Sequence, residues 1–131
     1  GISTGDFDRQ VEAAQDEAQK SESMLETEKA RSQRLEGELA VRKQERQRLE
    51  YQLARLIEST SEYEAQILAI RTETDDDLRQ RENWLEQIAR INAEMEHLQS
   101  QQSKLSIELF QQKIEALKQE IEVLRRISLE Q

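Results

Sequence analysis

Residues 84–98 read WLEQIARINAEMEHL, and their apolar side chains recur at alternating intervals of four and three. The repeat consists of Trp84, Ile88, Ile91, Met95 and Leu98. An apolar repeat of 3.5 residues lines one face of an α-helix only if that helix winds left-handedly around a partner. The stretch therefore predicts a coiled-coil helix with an apolar seam, meaning its a and d heptad positions.

The same register extends backwards without a break to Phe7. About two thirds of its seam positions are apolar, against 35% of the whole chain, so composition alone does not explain the pattern. The predicted fold is all-α: a single long helix that forms a left-handed, parallel, two-stranded coiled coil over residues 6–98. Residues 1–5 are predicted to be a flexible N-terminus or a cloning remnant, with Ser3, Thr4 and Asp6 available to cap the helix.

The predicted seam varies in strength along the helix. Through Ser32 it is small or polar, so this segment is expected to pair most weakly. Residues 74–81 form a polar joint, and Thr74 and Asp77 have the spacing of a capping box, which makes a break into two helices conceivable. Trp84, however, resumes in phase with Ile70 two heptads earlier, which favours a straight rod.

The register changes after Leu98. Residues 99–110 contain a predicted discontinuity, because the next apolar series lies two positions earlier than the old count requires. That series begins at Phe110, and residues 111–131 are predicted to form a second coiled-coil register.

Two sets of candidate interaction residues follow from this register. The predicted dimer seam comprises Leu35, Leu39, Leu49, Leu53, Leu56, Tyr63, Ile67, Ile70, Trp84, Ile88, Ile91, Met95, Leu98, Ile114, Leu117, Ile121 and Leu124. Apolar residues at or beyond the edge of the seam could make lateral contacts: Val41, Tyr51, Ile57, Leu68, Leu78 and Leu85.

Two arginines occupy the seam within residues 42–48, RKQERQR. Arg42 and Arg46 could form a basic docking patch. The interpretation we favour is that their stems cover the seam while their charged heads reach neighbouring glutamates.

Composition restricts the function further. The chain carries a net charge of -9, which disfavours binding to nucleic acid or to an anionic membrane. It has no cysteine, and its longest apolar runs are too short to insert into a membrane. We expect a soluble intracellular protein, either cytoplasmic or nuclear.

No catalytic, cofactor-binding or metal site is predicted. A thin rod offers no concave pocket where side chains converge. His97 is the single histidine, and the run Asp75, Asp76 and Asp77 lacks the alternating ligands and glycine turn of a calcium loop. The chain is predicted not to be an enzyme and to need no cofactor.

The expected partner is a second copy of the chain, with a tetramer or filament as a further hypothesis and another coiled-coil protein as an alternative. In a parallel dimer Arg31 would attract Glu36 of the other copy, whereas Glu17 would repel Glu22. These exposed pairs nearly cancel, so charge alone leaves strand orientation open.

Two stretches resemble coil 2 of intermediate-filament rods. Residues 58–67, ESTSEYEAQI, are similar to the Glu-Ser-Thr-Glu-Tyr-x-x-Gln-Val stretch of vimentin-type rods, with one residue inserted. Residues 109–121, LFQQKIEALKQEI, resemble the aromatic-x-x-x-Ile-x-x-Leu-x-x-Glu-Ile run of the same rods. The resemblance implies a cytoskeletal rod segment, although myosin-tail, golgin-like and centrosomal rods fit the heptads equally well.

The sequence thus predicts a structural coiled-coil rod segment that mediates self-association and spacing within a cytoskeletal or filament-forming protein. The alternative is an adaptor or tether that binds a partner protein through its outer faces, near residues 42–51 or 78–85.

Overall fold

The structure of the chain is a computed structural model that describes residues 3–130. Helix α1 spans Thr4–Leu68, α2 spans Asp75–Gln101 and α3 spans Ile107–Leu129. A 3₁₀ turn, Gln102–Lys104, follows α2 directly. The prediction of an all-α chain is confirmed, since the described residues contain helices and no strand. The single continuous helix is not confirmed, because the chain has three packed helices.

The first break lies between α1 and α2, over residues 69–74. Thr74 caps α2, because its hydroxyl oxygen accepts a hydrogen bond from the Asp77 N–H at 3.1 Å. The Asp77 carboxylate in turn accepts from the Glu73 N–H at 3.3 Å. The first bond satisfies one free N–H group of the new helix, and the second ties the helix to the residue before its cap. The intact heptad phase did not reveal that the chain turns here.

The second break follows α2. The Leu105 N–H donates to the Gln102 carbonyl at 3.2 Å, which closes the 3₁₀ turn. Leu105 and Ser106 are then extended, and the Ser106 hydroxyl caps α3 by accepting from the Leu109 N–H at 3.1 Å. The discontinuity that the register predicts over residues 99–110 contains this reversal of the chain.

The chain divides into two compact units. The N-terminal helix unit comprises the described residues up to Val41. Its helix begins at Thr4, where Ser3 accepts a hydrogen bond from the Asp6 N–H at 3.2 Å. Gly1 and Ile2, part of the predicted flexible N-terminus, lie outside the described residues, as does Gln131.

The three-helix unit comprises the described residues from Arg42 onward: the remainder of α1, then α2 and α3. Asn92 bonds Glu64 while Arg46 bonds Gln102, so α2 runs antiparallel to this part of α1. Tyr63 contacts Ser128 near the other end, so α3 runs parallel to α1. The unit is an up-down-up bundle of three helices.

The core of this bundle comes from one apolar stripe on each helix. Burial of these side chains supplies most of the stability of the unit, because isolated helices are marginal in water. The buried apolar residues are Leu49, Leu53, Tyr63, Ile67, Ile88, Ile91, Met95, Leu98, Phe110, Ile114, Leu117, Ile121 and Leu124.

Candidate association surfaces

Most of the predicted dimer seam lies inside the three-helix unit. Leu56, Ile70 and Trp84 are half-buried and pack against its core. All the others except Leu35 and Leu39 are buried in that core: Leu49, Leu53, Tyr63, Ile67, Ile88, Ile91, Met95, Leu98, Ile114, Leu117, Ile121 and Leu124. These side chains face helices of their own chain, so in this fold they are not free to contact a second copy.

The N-terminal helix unit differs, because every described residue through Gln44 is exposed. Leu35 is 44% exposed and Leu39 is 67% exposed. They belong to an exposed heptad series that we call the N-terminal stripe: Phe7, Val11, Ala14, Ala18, Leu25, Leu35 and Leu39. Nothing within this unit covers the stripe.

The six predicted lateral residues separate into two groups. Ile57 and Leu85 are half-buried against the core of the three-helix unit, since they lie beside its seam positions and widen the apolar face. The remaining four are exposed: Val41, Tyr51, Leu68 and Leu78.

Arg46 has a different role from the one that the sequence suggested. Its guanidinium group donates to the backbone carbonyls of Gln102 at 2.5 Å and Leu105 at 2.8 Å. These carbonyls lie where the chain turns between α2 and α3, so Arg46 fixes that turn onto α1. No heptad pattern encodes such a contact. Arg42 makes an exposed ion pair, 3.9 Å from Glu108, as its one polar side-chain contact within residues 3–130.

The glutamate beside Arg46 also pairs elsewhere. Glu45 accepts two hydrogen bonds from Arg48, at 2.5 and 3.2 Å. These bonds lower the pKa of the Glu45 carboxyl and raise the pKa of the Arg48 guanidinium. Both groups are solvent-exposed enough that the pair contributes little to folding.

Tyr63 connects α1 to the end of α3. Its hydroxyl lies 2.5 Å from the Ser128 Oγ, and the guanidinium carbon of Arg125 lies 5.4 Å from the centre of its ring. Burial raises the pKa of the Tyr63 phenol, and the Ser128 hydrogen bond and the Arg125 charge oppose that increase only in part. The folded bundle therefore favours the neutral form of the Tyr63 phenol over the ionised form.

Two fully buried residues were absent from the predicted seam. Phe110 and Thr60 are both 0% exposed. The Thr60 hydroxyl is satisfied within α1, since it donates to the Leu56 carbonyl at 2.7 Å. Both residues lie at positions of the apolar registers, so the periodicity contained the signal for them.

A shallow groove runs along the surface between α2 and α3. His97 lines it together with Ala93, Leu105, Lys113 and Ala116. No group of three or more potential metal ligands occurs among residues 3–130, so His97 belongs to no such group. Charged side chains such as Arg90 and Glu120 line the groove together with apolar ones such as Leu98.

Comparisons with known proteins identify no relative of this chain. No family model, curated protein or solved structure matches this chain. Within the described part of the chain, no helix is both long enough and apolar enough to span a bilayer.

Proposed function

We propose that this chain is a structural helical segment of a cytoskeletal or filament-forming protein, in which the N-terminal helix unit mediates self-association. Two N-terminal stripes would pair in parallel to form a short two-stranded coiled coil. The three-helix unit, whose core residues pack against each other, would act as a spacer.

The observation that supports pairing is that every residue of the N-terminal stripe is exposed. Phe7, for example, is 59% exposed within a helix whose apolar side chains keep heptad spacing. Helices in water obtain most of their stability from packing of an apolar face. A heptad face with no partner in its own unit is therefore best explained by a partner helix.

A second copy fits this face because identical stripes align layer by layer. Leu25, Leu35 and Leu39 would each pack against their own counterparts, and Arg31 would lie near Glu36 of the other chain. Ala14, Ala18 and Ser32, which lie on the same face, would bury little area. Association should therefore be weak and strongly dependent on concentration.

Sedimentation velocity over a wide concentration range tests this proposal. The intact chain should convert from monomer to dimer as concentration rises, and Leu39→Asp should shift that transition to much higher concentration. Val41→Asp is the matched control: Val41 is 65% exposed, almost the same as Leu39, but it lies at an outward c position. Equal effects of the two substitutions would refute pairing through the stripe.

The alternative function is an adaptor or tether that binds another coiled-coil protein. Its support is the exposure of Tyr51 and Leu78, which the three-helix unit leaves on its surface. An adaptor of this kind should remain monomeric across the same concentration range, with the N-terminal helix unit poorly helical until its partner is added.

The filament class rests on the two stretches that resemble intermediate-filament rods. Residues 58–67 lie in α1 and residues 109–121 lie in α3, where they contribute to one bundle. Electron microscopy of the intact chain at low ionic strength and then at physiological salt would test this class. Particles that never exceed a dimer would remove the support for filament assembly.

A further inference from the structure

The joint between α1 and α2 contains no residue that prevents a helix. Residues 69–74, AIRTET, include neither glycine nor proline, and no residue of the described chain has a positive φ. All six residues can therefore adopt helical backbone angles without steric strain. The turn is held instead by the Thr74 and Asp77 cap and by a bond from Arg81 to the Ile70 carbonyl at 3.2 Å.

The joint also leaves one buried hydrogen-bond donor without an acceptor among the described residues. Arg81 is half-buried, and its Nε is a buried donor without a hydrogen-bond partner in the described structure. Opening of the turn would release this donor to water, which reduces the cost of opening.

The heptad phase is preserved across this joint. Ile70 and Trp84 are separated by two heptads, so a straight helix from α1 into α2 would place their side chains on one face. The joint between α2 and α3 lacks this property. Its apolar series is displaced by two residues, which turns the face of α3 by about 200° in a straight helix. Only the first joint can straighten and still present a continuous apolar face.

We propose that this chain forms a domain-swapped dimer by straightening residues 69–74. The α2–α3 hairpin of each copy then packs against the α1 segment of the other copy. The contacts between Glu64 and Asn92, between Tyr63 and Ser128, and between Arg46 and Gln102 become intermolecular but are otherwise unchanged. Since both forms share one core, they differ mainly in the joint and in the entropy of association.

This exchange is independent of pairing through the N-terminal stripe, because it uses residues of the three-helix unit. The two processes can be separated in a Leu39→Asp background, which removes the last leucine layer of the stripe. A dimer that persists in this background cannot be attributed to that layer.

Cross-linking between two single-cysteine chains detects the exchange. The natural chain has no cysteine, so Glu64→Cys and Asn92→Cys can each be introduced alone into the Leu39→Asp full-length chain. Equal amounts are unfolded in urea, refolded together at high concentration and treated with a short bis-maleimide. Exchange should give a covalent product that joins position 64 of one chain to position 92 of the other, identified by mass spectrometry.

The matched control is the same pair of chains refolded separately and then mixed. Closed monomers should give little of this product, because positions 64 and 92 meet only within one chain. If co-refolding gives no more of the 64-to-92 product than mixing after folding, the proposal is overturned.

Substitutions at Thr72 test the mechanism of opening. Thr72 lies in the coil, and its N–H makes no backbone hydrogen bond in the described structure. Thr72→Pro should lower the dimerisation constant about a hundredfold for each straightened joint, because proline disrupts a helix interior. Thr72→Ala should raise it about threefold for each joint through its higher helix propensity.

The alanine variant gives a result even if the proline variant does not fold. A yield of exchanged product that is unchanged or reduced in Thr72→Ala overturns straightening of the joint. An unchanged yield in a folded Thr72→Pro chain overturns it as well.

Discussion

The two units of this chain carry the same kind of heptad pattern and use it differently. In the N-terminal helix unit Leu39 lies at a seam position and is 67% exposed, whereas in the three-helix unit Leu49 lies at a seam position and is completely buried. The two units differ in whether they contain other helices whose apolar faces can cover the stripe. A heptad stripe thus specifies that a helix needs a neighbour but does not specify whose helix that neighbour is.

The largest expected effect is a loss of stability in the three-helix unit when a core side chain is truncated. Phe110→Ala should reduce the free energy of unfolding of the three-helix unit by about 3–5 kcal/mol, because it leaves a cavity in a packed core. Urea denaturation followed by circular dichroism measures the loss. The adjacent Leu109→Ala, at an exposed position, is the control and should have little effect.

In the N-terminal helix unit the corresponding change is Leu25→Ala. It should leave the unfolding midpoint of the three-helix unit unchanged and weaken only the concentration-dependent association. A large shift of that midpoint would mean that Leu25 contributes to the stability of the three-helix unit, which contradicts the difference between the two units.

The next effect concerns the contact that fixes the turn between α2 and α3. Arg46→Ala should destabilise the three-helix unit by about 1.5–3 kcal/mol, since it removes charged hydrogen bonds to two carbonyls. Arg42→Ala, one helical turn earlier, removes only an exposed ion pair and should change the unfolding midpoint very little. Similar losses in the two variants would contradict the structural role of Arg46.

A smaller effect is expected at Tyr63, where removal of the hydroxyl in Tyr63→Phe should cost about 0.5–1.5 kcal/mol near neutral pH. The phenol also makes stability depend on alkaline pH. Its folded-state pKa is raised above the ordinary value of 10.0, so its contribution is complete below pH 10 and is lost as pH rises through the folded pKa.

Thermal unfolding measured as a function of pH should therefore show a steeper alkaline decline for the natural chain than for Tyr63→Phe. Tyr51→Phe is the control, because Tyr51 is exposed. If Tyr51→Phe removed the decline instead, the assignment to Tyr63 would be wrong.

An effect of similarly small size is expected in the N-terminal helix unit. Gly37 is helical, and a Cβ added there meets no atom within 4 Å. Gly37→Ala should stabilise this helix by about 0.8–1.0 kcal/mol through backbone propensity and thereby favour pairing. Circular dichroism at several concentrations should show higher helicity, with no change in the unfolding of the three-helix unit.

The sequence predicted the helical class and the buried faces but not the path of the chain. Ile88 and Ile114 lie where their registers place them, because a 3.5-residue repeat identifies the inward face of a helix whether the partner is another chain or the same one. Thr74 and Asp77 signalled a helix start. The unbroken phase from Ile70 to Trp84 favours a straight rod, yet the chain turns between them. Heptad phase reports only which face of a helix is apolar, so it does not show whether the helix continues.

Other contacts left no periodic signal. Arg46 bonds carbonyls that are more than fifty residues away in the sequence, and these become its neighbours only after the chain has reversed between α1 and α2. The exposure of the N-terminal stripe is also a tertiary property. It depends on the number of apolar faces available within the unit, which heptad counting does not measure.

Trp84 gives the chain an optical property that follows from its position. It is the single tryptophan, and it lies half-buried against the core of the three-helix unit. Its fluorescence should therefore report the packing of that unit alone and be insensitive to fraying of the N-terminal helix. Emission and far-ultraviolet ellipticity, recorded on one sample during heating, should trace two separate transitions without any added label.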